Sequence, residues 1–86
     1  MAEEKKYSKQ IIGKTVVSKS GKKFGLVGDL VFEIRTGELI YLVLRDSTPY
    51  ANQLELEKAK GGDFLIPFSS VIAIGDFVVV AEEDIV

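Results

Sequence analysis

The sequence predicts an all-β fold, a small, mostly antiparallel β-barrel of about six strands with at most one short helix. Three observations carry this. Every even position from Phe24 to Ile34 is apolar except Gly28, the period of two that a half-buried strand requires. Glycine turns flank that stretch, Ser20-Gly21-Lys22-Lys23 before it and Arg35-Thr36-Gly37-Glu38 after it. The gap at Gly28 falls mid-strand, where a missing side chain marks a bulge or bend, and a long bent strand is how a small sheet curls on itself.

The elements follow in order. Residues 1–10 are polar and charged and read as a flexible arm. Ile11 or Ile12 anchors the chain and Gly13 permits a turn into a short strand, Lys14 to Ser18, centred on Val16 and Val17. The long strand and its second hairpin lead into Leu39 to Leu44. Asp46-Ser47-Thr48-Pro49 is turn chemistry. Gln53 to Lys60 fits a short helix or a strand equally well, because Leu54, Leu56 and Ala59 satisfy either period. Pro67 lacks an amide donor, which puts Phe64 to Phe68 at a strand end or sheet edge. Ser69 or Ser70 caps a short turn, and Gly75-Asp76 turns into a last strand, Phe77 to Val80. The domain spans residues 11–80, and residues 81–86 form an acidic tail.

The chain has 86 residues, enough for one small domain. A domain this size buries only about 60–65% of its unfolded surface. With no cysteine, its stability must come from its 47% hydrophobic content. A thin margin also favours association. No run approaches the roughly 18 apolar residues of a membrane helix, and the charged start lacks the apolar core of a signal peptide. A cytoplasmic protein without membrane insertion is expected.

Charge is uneven. Residues 1–24 hold seven lysines against Glu3 and Glu4, a balance of +5, and the remainder carries −7. Such asymmetry can mark a nucleic-acid or membrane-surface patch, with Lys14, Lys19, Lys22 and Lys23 as candidate RNA contacts. The alternative is that the lysines solubilise the domain and blunt its sheet edges. The lysines are not interleaved with exposed aromatics as single-strand binding requires, and this favours the second reading.

Catalysis is not expected. With no histidine or cysteine, the usual general base, thiol nucleophile and zinc ligands are missing. Asp29, Glu33, Asp46, Asp63 and Asp76 are scattered at turns and strand ends, where aspartates serve the backbone. No strand, glycine loop and helix combine as a phosphate loop. No catalytic, cofactor-binding or metal-binding residue is assigned. The informative excess is apolar. Leu39 to Leu44 is six consecutive apolar residues, but a barrel has one inside face. If Ile40, Leu42 and Leu44 fill the core, then Leu39, Tyr41 and Val43 need another cover. That cover is the N-terminal segment, the 50–60 segment through Leu54 and Leu56, or a second molecule, and an exposed strip of this kind marks an interaction surface.

The order Val16-Val17, then Gly21-Lys22-Lys23-Phe24-Gly25 through Val27 to Asp29, then Phe32, Thr36 and Gly37, and later Ile66-Pro67-Phe68-Ser69-Ser70-Val71 and Ile74-Gly75-Asp76, resembles the PRC-barrel family. The resemblance spans roughly Ile11 to Val80. It implies a six-stranded barrel that binds other macromolecules and has no catalysis of its own. In that family the module follows a membrane helix in reaction-centre H subunits, follows a second barrel in an rRNA-processing factor, or stands alone in small, commonly archaeal proteins, some linked to cell division. This chain is similar to the stand-alone group. The resemblance therefore implies an adaptor for protein partners, expected as a homodimer, with an RNA- or ribosome-associated role as the alternative.

Overall fold

The computed structural model describes residues 10–85. The arm expected over residues 1–10 lies outside them except for Gln10, as do Lys5, Lys6 and Lys9. Seven strands form one sheet: β1 (Thr15–Ser18), β2 (Lys23–Phe32), β3 (Leu39–Arg45), β4 (Glu57–Lys58), β5 (Phe64–Pro67), β6 (Val71–Ile74) and β7 (Phe77–Val80). A short helix, α1 (Pro49–Gln53), follows β3. Short 3-10 turns at Phe68–Ser70 and Glu82–Asp84 complete the pattern.

The strand order is β4-β5-β3-β2-β1-β7-β6, and the ladder does not return from β6 to β4. This corrects the expected closed barrel of about six strands. The sheet is open and mixed, because β1 runs parallel to β7 while the other pairings are antiparallel. The physical reason lies in the two ends. β4 is two residues long, and β6 carries a register shift between Val71 and Ala73 that leaves Ile72 without a partner. A stub and a bulged strand do not pair into a continuous ladder.

The long strand behaves differently from its simple alternation. Phe24 and Val27 are fully buried and Leu30 packs against the core, a spacing of three rather than two. Two bulges cause this. Against β1 the register passes from Gly25 to Lys23 and leaves Phe24 extra, and against β3 it passes from Val27 to Asp29 and leaves Gly28 extra. Each extra residue turns the following side chains to the other face. Gly28 is where the expected bulge sits. A Cβ there would lie 2.8 Å from the Arg45 Cβ, so β3 crosses where a side chain would be. Asp29 serves the backbone, its Oδ1 accepting from the Leu30 amide at 2.8 Å.

The segment between β3 and β5 is neither alternative in full. Thr48 caps α1, its Oγ1 accepting from the Ala51 amide at 3.2 Å, and Pro49 fits the first turn. The helix therefore begins before Gln53 and ends there. The Thr48 hydroxyl also donates to the Lys23 carbonyl at 2.6 Å, tying α1 to β2. Leu56 is buried and Leu54 packs on the core. After β5, the buried Ser70 donates to the Pro67 carbonyl at 2.6 Å, and the Ala81 amide donates to the Ser70 carbonyl. The three-residue turn thus carries the chain from β5 to β6 at one corner of the sheet. Residues 81–85 are not free of the domain: Ala81 is buried and Ile85 packs on the core.

The core gathers Ile11, Val16, Phe24, Val27, Leu42, Leu44, Ile66, Val78 and Val80, with Ala51 from α1 and Leu56. Each large side chain fully removed from water there contributes about 1.5–3 kcal/mol. Gly25 is a tight point, with φ at +151° and a notional Cβ only 2.9 Å from the Arg45 carbonyl oxygen. Gly25→Ala is expected to cost about 1–3 kcal/mol in urea unfolding from backbone strain alone. Gly61→Ala, whose Cβ meets nothing closer than 3.9 Å, is expected to stay within about 0.5 kcal/mol of wild type. Equal midpoints for the two variants would contradict the crowding at Gly25.

Candidate interaction surfaces

The apolar run of β3 divides as follows. Leu42 and Leu44 are buried, and Ile40 is half-buried. Of the three residues expected to face outward, Tyr41 and Val43 do so and Leu39 does not. The register passes from Val31–Tyr41 to Phe32–Leu39, leaving Ile40 extra, and Leu39 packs against the core. The sequence offered no local sign of this bulge, because Ile40 is an ordinary strand residue.

Directly opposed residues in a ladder share a face. The pairs Val31–Tyr41, Tyr41–Pro67 and Val43–Leu65 therefore place Val31, Tyr41, Val43, Leu65 and Pro67 on the outer side of β2, β3 and β5. Val31 remains 37% exposed. Glu57 partly covers the strip, since the Tyr41 hydroxyl donates to its Oε2 at 2.8 Å and that bond raises the tyrosine pKa. Of the intramolecular covers the sequence offers, Leu54 and Leu56 turn to the core instead, and the N-terminal segment lies largely outside the described residues. Asp29 stands opposite Val43 on this face, and Arg45 follows Val43 at the strand spacing of two.

A second surface was not evident in the sequence. A groove of about 690 Å³ runs between β6 and the far end of the β2–β3 hairpin. Phe32, Leu39, Phe68, Val71, Ile72 and Ile74 line it, with Glu38 on its rim. Phe32 is 38% and Ile72 53% exposed. These residues come from three separate segments, so no sequence window shows them together.

Lys14 Nζ donates to the Gly75 carbonyl, Lys19 pairs with Glu83, and Lys22 Nζ sits 5.7 Å from the centre of the Tyr50 ring. Lys23 is exposed at the start of β2. Behind Lys22 lies a polar cluster. The Tyr50 hydroxyl donates to Glu82 Oε2, Ser20 Oγ donates to Glu82 Oε1 at 2.7 Å, and the Tyr50 ring meets Phe24 edge-on. Hydrogen bonds from Tyr50 and then the serines hold the Glu82 carboxyl below its ordinary pKa. The hydrogen bond to Glu83 raises the Lys19 pKa and lowers that of Glu83. Among the described residues no three His, Cys, Asp or Glu side chains are grouped to hold a metal, and no helix is long and apolar enough to cross a membrane.

The family model for the PRC-barrel domain matches residues 3–84. The chain is also 29% identical over 82 residues to an uncharacterized protein of Methanocaldococcus jannaschii, an alignment covering 95% of this chain and 88% of that protein.

The Glu82 cluster sets an acid dependence. A carboxyl whose folded pKa lies below its ordinary 4.5 contributes fully above that value and loses its contribution as pH falls through the folded value. Wild type is therefore expected to lose thermal stability below about pH 4.5. Tyr50→Phe, which keeps the ring on Phe24 but removes the hydroxyl, should flatten that loss. Superimposable melting-temperature profiles of the two proteins across acid pH would show that Tyr50 does not set the Glu82 ionisation.

Proposed function

The chain belongs to the PRC-barrel domain family, a non-catalytic module, and we propose that it works as a protein-interaction adaptor that pairs with a second copy through the outer face of β3. The observation that supports this is the strip of Val31, Tyr41 and Val43, which stays partly open to solvent although its strands form the centre of the sheet. A self-associating face benefits from charges of both signs, and this one carries Asp29 and Glu57 as well as Arg45. A two-fold axis through the strip can set the cation of one copy against a carboxylate of the other. The setting we take is a cytoplasmic assembly. Cell division is the instance suggested by the family resemblance, and it does not come from any residue of this chain.

RNA contact through Lys14, Lys19, Lys22 and Lys23 is the alternative, and it has less support. Three of those four side chains already engage Gly75, Glu83 or Tyr50. Phosphate binding through them would weaken steeply with salt.

Light scattering on the wild-type chain at high micromolar concentration is expected to give the mass of a dimer. Val31→Glu is expected to give a folded monomer whose melting temperature falls only by the lost association and no longer rises with protein concentration, because Val31 is exposed within one copy. A wild type that stays monomeric throughout that range would overturn self-association.

A further inference from the structure

The two ends of the sheet are treated differently. β4 ends in the exposed pair Glu57–Lys58, a short charged edge of the kind that resists further pairing. β6 reads Val71-Ile72-Ala73-Ile74, with no charge and, among the described residues, no strand on its outer side. The apolar groove borders this strand, between it and the end of the β2–β3 hairpin. We propose that an extended segment of a partner protein lies in this groove as an added strand beside β6, apolar at alternate positions and carrying a lysine or arginine against Glu38. This deepens the interaction-module reading and rests on it, but uses a different surface from the outer strip.

Three features select a peptide over a second copy of the chain. First, the edge is bulged at Ile72, and a bulged edge pairs poorly with a rigid strand bulged at the same place. A flexible segment can follow it. Second, a two-fold axis at β6 would set one hollow against another and leave both unfilled, whereas a single extended chain is narrow enough to enter one. Third, Glu38 is the charged side chain lining the groove, and it has no ion-pair partner among the described residues. Two copies would bring two such carboxylates together without a cation, while a basic peptide residue supplies one. The length is also suitable. Four residues of β6 span about 13 Å, and strand addition draws affinity from main-chain hydrogen bonds and selectivity from pockets for alternate side chains. Phe32, Leu39 and Phe68 provide apolar walls for those side chains.

The test is an amide NMR titration of the full chain with a synthetic hexapeptide, acetylated and amidated, carrying Val, Ile and Val at alternate positions, Thr between them and Lys at one end. A twin peptide has Glu in place of Lys. Saturable shifts are expected at Val71 to Ile74, with the Lys peptide about two- to fivefold tighter than its twin, the range of one exposed ion pair. Glu38→Lys should reverse that preference. Ile72→Lys should remove the shifts while core resonances such as those of Val27 and Leu42 keep their positions. Val31→Glu should bind like wild type, so loss of the dimer and loss of the groove are read separately. No saturable shift at β6, an unchanged preference in Glu38→Lys, or shifts confined to Tyr41 and Val43 would overturn the proposal. Resonances of β6 that move with protein concentration alone would put a second copy in the groove and overturn it as well.

Discussion

The parallel ladder between β1 and β7 is the interaction on which the rest of the sheet depends. Thr15 to Ser18 pair with Phe77 to Val80, and β1 pairs on its other side with β2. Without that ladder the molecule would divide into a five-stranded sheet, β4-β5-β3-β2-β1, and an isolated β6–β7 hairpin. A two-stranded hairpin is at best marginally stable in water. The ladder also buries side chains on both partners: Val16 and Ser18 from β1, Val78 and Val80 from β7. The Lys19 amide extends it by donating to the Val80 carbonyl at 3.2 Å. By holding β7, this pairing places β6 across from the β2–β3 hairpin and so creates the groove.

Bulges then decide which side chains each face receives. Extra residues at Phe24 and Gly28 on β2 and at Ile40 on β3 turn the chain over without ending a strand. Phe24 gains a place in the core, Leu39 is drawn inward, and Val31 is left outside with Tyr41 and Val43. A perfectly regular β2–β3 hairpin would have sorted these residues by parity, and Leu39 would have shared the outer strip. Surface and core are thus set by where the register slips as much as by hydrophobic pattern.

Those slips also explain what the sequence could reveal. The hairpin turns at Gly21 and Gly37 and the bulge at Gly28 have local chemical signatures, and they were legible. The bulge at Phe24 is defined by the partner strand β1, and phenylalanine gives no hint of it. The start of α1 had a signature, Thr48 as cap followed by Pro49, but the same residues serve a turn equally well. The parallel pairing of β1 with β7 joins the two ends of the domain, so no local pattern encodes it. Closure of the barrel was the inference that failed, because it depended on pairing between β4 and β6. The length of one and the bulge of the other are properties of the assembled sheet. The outer strip was readable as an excess of apolar residues along β3. The groove was not, since Phe32, Phe68 and Ile72 reach it from separate segments.

An open apolar groove has an energetic consequence for a domain this small. Ile72 and Phe32 expose apolar surface that the fold leaves unburied, in a chain whose stability margin is thin. An occupant that covers them removes that surface from water and supplies partners to the outer backbone of β6. Because it binds the folded chain and not the unfolded one, it raises stability by mass action in proportion to its saturation. β6 pairs with β7 and β7 with β1, so an occupant of the groove would be linked through them to the parallel ladder. Val31 and Phe32 show how close the two surfaces lie. They are consecutive residues on β2, one on the outer strip and the other lining the groove, with a register shift between them. That shift sends one side chain to each face, so both surfaces are set by a single backbone element of β2.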